Sequence, residues 1–246
     1  MIIKNNLLIA AALFASSSAM ASDFSIGAGA LFNESPYKGY NENTIAVPLI
    51  SYEGDNFYLR QTTGGWVLWK DSKNEISLTA SWMPLHFDPD DNDDPQMKRL
   101  DERKASAFLG GAYYRHESWG SLKFAVSGDA MDESGGMMGE ISYFHPIRLA
   151  RLTLIPSAGI FYSDESYNDY YYGVSGSESR RSGLDEYTAG DSWTPYVGLV
   201  AKYQLTQSLF LNASAMYTVL PDDVKNSPMI DRDDSFALMT GLTWRF

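Results

Sequence analysis

The sequence predicts an all-β protein: a transmembrane antiparallel β-barrel of the bacterial outer membrane with about twelve strands. The first 21 residues have the pattern of a secretory signal, and the last eleven alternate between apolar and other side chains before ending on an aromatic residue. Membrane-crossing strands of about 9 to 11 residues produce such an alternation. A soluble sandwich could also end on an amphipathic strand, but the secretory signal favours the barrel.

The C-terminal segment, residues 236 to 246, has a period of two. One face carries Phe236, Leu238, Thr240, Leu242 and Trp244, and the other carries Ala237, Met239, Gly241, Thr243 and Arg245. Successive side chains of a strand point to opposite faces. The first set is therefore predicted to face lipid and the second to face the lumen.

The N-terminal segment, residues 1 to 21, is predicted to be a signal peptide. Lys4 precedes an apolar run from Leu7 to Phe14, and small residues stand at Ala19 and Ala21. We expect the mature barrel domain to comprise residues 22 to 246. Residue 22 is Ser rather than Cys, so a lipoprotein anchor is not expected, and no later run reaches the roughly 18 apolar residues of a membrane helix.

Composition excludes several classes of function. The formal net charge of −12 at pH 7 would repel phosphate backbones, so no nucleic-acid partner is expected. The absence of Cys excludes disulfides, thiolate metal sites and Cys nucleophiles. The aromatic content of 14% suits the aromatic girdles of a membrane barrel.

Alternation predicts further strands upstream of the last one. It is clear in residues 193–205, 209–219 and 122–130, and noisier in 75–87, 105–117, 138–148 and 151–163, where His145 and Pro156 disturb it locally. Tight turns are predicted at 71–74, 117–120, 149–151 and 206–208, and long loops at 88–104, 132–137, 164–191 and 221–234. Short periplasmic turns and longer outer loops are typical of bacterial barrels.

The N-terminal region, residues 23 to 70, allows two interpretations. With a tight turn at Thr62–Gly65, and a further turn at Glu53–Asn56, the strand count reaches an even twelve, although the two strands flanking Thr62–Gly65 are short for a membrane. The alternative is ten strands plus an N-terminal segment outside the barrel. We favour twelve.

Catalytic and cofactor chemistry is sparse, and we expect no enzyme, cofactor or metal site. His116 and Ser118 share one strand face, as in some lipid A deacylases, but they lie at a predicted periplasmic turn and have no evident carboxylate partner. His86 and His145 are isolated in the sequence. A lipid hydrolase is therefore the weakest functional hypothesis.

Charged residues form two further groups. The acidic run Asp88, Asp90, Asp91, Asp93 and Asp94 resembles half of an EF-hand loop, but Asp93 and Arg99 replace the Gly and Glu that such a loop needs. A solvated loop is the favoured interpretation, and a weak cation site the alternative. The predicted inward charges either line a narrow pore or pair in a plugged lumen, and plugging is favoured; they are Arg60, Lys123, Asp129, Glu140, Arg148, Lys202 and Arg245.

Several segments resemble the MipA/OmpV family of outer-membrane proteins, in order and at similar spacing across nearly the whole mature chain. They are YEGDNF (52–57), LDERK (100–104), YYYGVS (170–175), ESRRSGL (178–184), DSWTPY (191–196) and SPM (227–229), together with the terminal aromatic. The resemblance implies a non-enzymatic scaffold that links a murein lytic transglycosylase to a bifunctional penicillin-binding protein.

Two other hypotheses remain open beside this scaffold. The charged lumen favours a small porin or uptake channel, and other family members are linked to adhesion or antibiotic response, so the family does not fix one role. Membrane lipid and lipopolysaccharide are further expected partners. The loop 164–191 is predicted either to cover the barrel mouth or to recognise a ligand, and covering is favoured.

Overall fold

The computed structural model describes residues 23–40 and 43–246, with the predicted signal peptide outside the described part. It is a closed antiparallel β-barrel in which strands pair with their neighbours in sequence, except that β8 and β9 both pair with β10, and β13 closes the barrel by pairing with β1. The strand segments are β1 (Asp23–Asn33), β2 (Asn43–Glu53), β3 (Phe57–Arg60), β4 (Thr63–Lys70), β5 (Asn74–Met83), β6 (Ser106–Glu117), β7 (Gly120–Asp129), β8 (Met137–Phe144), β9 (Ile147–Leu149), β10 (Leu152–Ser163), β11 (Ser192–Gln204), β12 (Leu209–Val219) and β13 (Asp234–Arg245).

β8 and β9 are two parts of one barrel strand, because both pair with β10. The interruption lies at His145 and Pro146, where proline lacks the N–H that a continuous ladder needs. The barrel therefore has twelve strands. The preferred strand number is confirmed, and the alternative with ten strands and a separate N-terminal segment is wrong because β1 closes the barrel against β13.

The predicted alternation is confirmed in the last strand. Leu238, Leu242 and Trp244 are exposed on the outer face of β13, whereas Ala237 and Met239 are buried in the lumen. The predicted bounds of β12 are those observed, Leu209–Val219. Alternation is informative here because one face contacts lipid and the other faces the lumen.

The hairpin of β3 and β4 corrects the predicted turn at Thr62–Gly65. The turn lies at Gln61 and Thr62, where Gln61 has a left-handed φ of 56°. Gly65 belongs to β4 and is needed for packing, because a Cβ there would lie 2.0 Å from the Tyr58 ring. Gly65 therefore makes room for Tyr58 and does not form the turn.

Connections alternate in length as predicted, except that β3 and β4 are joined by a tight turn at the end that carries the long loops. Tight turns follow β2, β4, β6, β9 and β11, at the barrel end that also contains Asp23 and Phe246. We assign this end to the periplasm, since bacterial barrels have short periplasmic turns. The opposite end carries the loop residues 34–40 and the loops 84–105, 130–136, 164–191 and 220–233. These loops contain the helices α1 (Glu165–Tyr172), α2 (Gly176–Ser182) and α3 (Asp222–Lys225). None of the helices in the described residues is long and apolar enough to span a bilayer.

Candidate functional site: the capped lumen and the periplasmic rim

Four of the outer loops share a hydrophobic core that closes the barrel mouth, which we call the cap. Its fully or almost fully buried side chains come from loop residues 34–40, from loops 84–105, 164–191 and 220–233, and from the ends of β5 and β6. They include Tyr37, Leu85, Phe87, Met97, Phe108, Tyr171, Val174 and Met229. Tyr37 donates a hydrogen bond to the Tyr171 carbonyl at 3.0 Å, and Tyr171 donates to the Lys104 carbonyl at 2.9 Å. Capping of the mouth by loop 164–191 is therefore observed.

Local sequence explains the two helices of the cap. Asp164 caps α1 by accepting a hydrogen bond from the Tyr167 N–H at 2.9 Å. Ser175 and Glu178 form a reciprocal capping box at the start of α2. The helices begin where these residues stand, and they place the tyrosines of α1 over the lumen.

A buried ion pair joins α2 to loop 84–105. Arg103 Nη2 lies 2.8 Å from Glu178 Oε1, which also accepts the Asp101 N–H at 2.9 Å. Burial alone would raise the pKa of Glu178, but hydrogen bonds from Asp101, Ser175 and Arg103 lower it to about 2. The carboxylate is therefore charged and fully bonded within the cap. Sequence analysis assigned no role to Arg103 or Glu178, which lie 75 residues apart.

Below the cap, the lumen contains a layer of paired charges. Arg60 binds Glu53 through two hydrogen bonds of 2.7 and 3.0 Å, and its guanidinium lies 3.8 Å from the Tyr58 ring centroid. Glu75, which is 2% exposed, lies between Arg60 at 3.6 Å and Lys70 at 2.9 Å. Opposite charges thus compensate one another on this side of the barrel.

On the facing wall, Lys123 pairs with Glu140 at 2.5 Å. Glu140 also accepts hydrogen bonds from Ser142 at 2.8 Å and from the Tyr196 hydroxyl at 2.9 Å. Both residues were predicted to face inward and do so. Their pairing agrees with the plugged interpretation of the lumen charges.

A cavity of about 160 Å³, the lumen cavity, is lined by both Arg60 and Lys123. Ala112, Tyr114 and Phe144 in its lining belong to a buried cluster that also contains Ile155 and Val200. Met83 and Phe108, which belong to the core of the cap, line the cavity as well.

Four other predicted inward charges have different environments. Asp129 organises loop 130–136 by accepting hydrogen bonds from the Ser134 N–H and hydroxyl. Lys202 and Arg245 both lie over the Phe210 ring, at 4.6 and 4.9 Å from its centroid. Arg148 pairs with Thr153, which pairs with Lys202, so it lies on the lumen face as predicted, although it is exposed at the end of the barrel. The register with β10 is the same on both sides of the break at His145 and Pro146, so the alternation continues through it.

The three histidines do not converge on one site in the described residues. His116 Nδ1 lies 2.8 Å from Ser121 Oγ, so its hydroxyl partner is Ser121 and not the predicted Ser118, which is exposed in the following turn. Its Nε2 has no carboxylate partner within the described part of the chain. His86 Nδ1 bonds the Pro84 carbonyl at 2.9 Å, and His145 lies at the strand break.

The acidic run mainly shapes its own loop. Asp88 accepts the Asp90 N–H at 3.0 Å, and Asp94 accepts the Gln96 N–H at 2.8 Å. Such bonds are typical of turns initiated by Asp. Among residues 23–40 and 43–246, no three acidic or histidine side chains converge as metal ligands.

The periplasmic rim is the second candidate surface, formed by the turns after β4 and β6. Lys73 and Glu117 bridge these turns at 3.0 Å, and Glu117 also binds Arg115. Asp71 accepts hydrogen bonds from the Lys73 N–H and from the Asn74 side chain. These bonds, the first most strongly, hold the pKa of Asp71 below its ordinary value. Two turns thus form one ordered, charged surface in contact with water.

Comparison with known proteins identifies the family. The family model described as "MltA-interacting protein MipA" matches residues 26–246. The chain belongs to the MipA family. This membership confirms the resemblance inferred from the sequence motifs.

Relatives of this MipA-family chain include outer-membrane proteins. It is 56% identical to "Putative outer membrane protein YiaT" of Escherichia coli strain K12, over 100% of both chains. It is 39% identical to "MltA-interacting protein" of the same strain, over 99% of both chains. "Outer membrane protein OmpV" of Vibrio cholerae is 28% identical over 61% of this chain and 58% of the relative.

Solved structures with a similar fold are also outer-membrane proteins. A NanC porin has a TM-score of 0.45 and 9% identity, covering 92% of this chain and 100% of that chain. A bacterial polysaccharide outer membrane secretin has a TM-score of 0.43 and 11% identity, covering 92% and 98%. The MipA-family chain is an outer-membrane β-barrel, as its sequence predicted.

Proposed function

We propose that this chain is a non-enzymatic scaffold of the outer membrane. It binds a murein lytic transglycosylase through its periplasmic rim and links this enzyme to a bifunctional penicillin-binding protein. The observation that supports the proposal most directly is the similarity to the protein named MltA-interacting protein, which extends over 99% of both chains. This similarity covers the rim as well as the cap, as expected if the two proteins bind the same partner.

The position of the rim favours it over the cap as the binding surface. Murein lies on the periplasmic side of the outer membrane, and the rim is the end of the barrel that faces it. The cap is at the opposite end, and its aromatic residues are already buried against one another. Its main interactions are internal to the barrel.

The size of the rim sets a condition on binding. A stable interface buries about 800 Å² per partner, which is more than one tight turn offers. The ion pair between Lys73 and Glu117 holds two turns together, and the His116 N–H also bonds the Lys73 carbonyl at 2.6 Å. A preordered surface made of two turns loses less conformational entropy on binding than two independent turns would.

Membrane lipid and lipopolysaccharide are the other partners we propose. Aromatic pairs lie near both ends of the outer surface, including the stacked rings of Trp119 and Tyr143 at 5.9 Å and the tilted rings of Tyr162 and Trp193 at 4.9 Å. Such rings lie at the boundary between hydrocarbon and headgroups.

The test is capture of an MltA-type lytic transglycosylase by barrels with altered rim charges. We expect Lys73→Glu combined with Glu117→Lys to retain part of the capture, and Lys73→Glu alone to reduce it by about tenfold, because like charges across the interface oppose binding. The matched control is Lys225→Glu on α3. Lys225 forms a 2.7 Å ion pair with the exposed Asp222 at the outer end of the barrel.

Unchanged capture by every rim variant, with the barrel still folded, would contradict the proposal. Loss of capture in the Lys225→Glu control alone would place the interface at the outer end and contradict the assigned orientation. Capture of a penicillin-binding protein is measured on the same variants, with and without the transglycosylase, because a scaffold brings the two together.

A further inference from the structure

The barrel wall is interrupted beside β2. Only Ser51, Tyr52 and Glu53 pair with β3, because the hairpin of β3 and β4 ends at Gln61 and Thr62. In the described residues, the remainder of β2, Asn43 to Ile50, has strand pairing only with β1. We call this region, bounded by β2, the hairpin tip and the end of β5, the wall opening. The opening extends along about 26 Å of β2, at roughly 3.3 Å for each of the eight residues from Asn43 to Ile50.

Hydrogen-bond alternation identifies the backbone groups that face the wall opening. The Gly54 N–H donates to the Phe57 carbonyl, so even-numbered residues of β2 direct their backbone groups toward β3. Thr44, Ala46, Pro48 and Ile50 therefore face the opening. An unpaired strand edge within a membrane is costly unless it lines a cavity or binds a partner.

Pro48 suits this unusual edge. Proline has no N–H and is found within sheets almost only where that position would be unpaired. Pro48 is in the middle of β2 and belongs to the even-numbered set that faces the opening. The side chains of Thr44 and Ala46 are small, so they leave the opening uncovered on its lipid side.

The lumen cavity extends to this opening. Gln61 and Thr62 at the hairpin tip, together with Trp82 on the lipid-facing side of β5, line the same cavity as Arg60 and Lys123. At the outer end of the barrel, the cap covers the cavity. Within the cap, Phe108 packs against Tyr167 with ring centroids 6.0 Å apart. The wall opening therefore leads from the membrane toward the lumen.

The polarity of the cavity indicates what would enter it. Its apolar lining includes Met83, Phe108 and Phe161, and its charged lining consists of two cations, Arg60 and Lys123, and one carboxylate, Glu140, which is paired with Lys123. Arg60 binds Glu53 through Nε and Nη2, and Lys123 donates one hydrogen bond to Glu140. Arg60 Nη1 and the remaining Lys123 protons are thus available as donors to an anionic headgroup.

We propose that the wall opening admits a single-chain carboxylic amphiphile from the membrane into the lumen cavity. Its carboxylate binds at Arg60 and Lys123, and its hydrocarbon chain extends past Met83 and Trp82 toward lipid. A two-chain phospholipid fits less well, since the cavity of about 160 Å³ is small and its polar groups lie inside rather than at the membrane surface.

The test uses hexadecanoic acid carrying a photoreactive diazirine in its chain, added to outer-membrane vesicles that contain the full barrel. After irradiation, mass spectrometry maps the labelled residues. We expect saturable labelling of the cavity lining near Met83, Phe108 and Phe161. Unlabelled hexadecanoic acid should compete, and its methyl ester should compete about tenfold less, because it lacks the charge for a charge-assisted hydrogen bond.

Two variants locate the label. Ala125→Trp fills the cavity from the facing wall and should abolish cavity labelling, whereas Ala215→Trp adds the same bulk to the lipid-facing side of β12, where the wall is continuous, and should not. If Ala125→Trp does not fold, the map of labelled residues on the unaltered protein still tests whether the probe enters the cavity.

Labelling confined to lipid-facing residues would overturn the proposal. Equal competition by the acid and the ester, or a phospholipid found in the cavity instead, would overturn it as well.

Discussion

The outer and periplasmic ends of this barrel are stabilised by different interactions. At the outer end, four loops share a hydrophobic core in which Tyr171 and Phe87 are 0% exposed. At the periplasmic end, the turns are held by hydrogen bonds and by the ion pair of Lys73 and Glu117, which are in contact with water. Buried apolar packing contributes far more stability than exposed ion pairs. The difference indicates that packing closes the outer end, whereas the charged turns of the periplasmic end remain in contact with water.

The largest effect should come from the core of the cap. Tyr171→Ala removes a fully buried ring and should destabilise the cap by about 3–5 kcal/mol. Limited proteolysis should then cleave loop 164–191. Tyr217→Ala, at a lipid-facing position that is 41% exposed, is the control and should leave the loop protected. Equal protease resistance of both variants would show that the cap is held by something other than its core.

An intermediate effect is expected in a periplasmic turn. Gly120 has φ of 140°, and a Cβ there would lie 2.5 Å from the Tyr143 ring. Gly120→Val should cost about 1–3 kcal/mol through backbone strain and displacement of Tyr143. Urea unfolding in lipid vesicles measures the loss. Gly111→Ala is the matched control, because its Cβ would meet only the Ser77 carbonyl at 3.6 Å. Similar losses in the two variants would contradict the strain argument.

Acid should loosen the cap before the rest of the barrel. The folded pKa of Glu178 is lowered from 4.5 to about 2, so its contribution to stability is complete above about pH 4.5 and is lost as the pH falls toward 2. Hydrogen exchange of α2 should therefore increase across this range. Glu178→Gln should remove most of that pH dependence. An unchanged profile in Glu178→Gln would assign the acid sensitivity to other carboxylates.

The smallest effect on stability is expected at the rim. Lys73→Ala should leave urea unfolding unchanged, because its pair with Glu117 is solvent-exposed. Lys73→Ala should still capture less of the lytic transglycosylase than the unaltered barrel does. This difference in capture should diminish as salt screens the charges. A marked loss of stability would mean that the rim is structural, which would remove the contrast between the two ends.

The amino-acid sequence predicted the parts of the fold that depend on local alternation and turn chemistry. Residues 209–219 have the predicted bounds, and the turns at 71–74 and 206–208 lie where they were expected. This was possible because a strand between lipid and lumen must alternate along its whole length. The motifs likewise indicated the family, which the match over residues 26–246 shows.

Contacts between distant residues were decided only by the tertiary structure. The sequence marks Gly65 as a turn residue, but the Tyr58 ring occupies the space of its missing side chain. Arg103 and Glu178 meet because two loops fold together over the mouth. The wall opening exists because β2 pairs with β3 over only three residues. The alternation within each strand predicts which side chains face lipid, but it does not predict how many residues of two strands pair with each other.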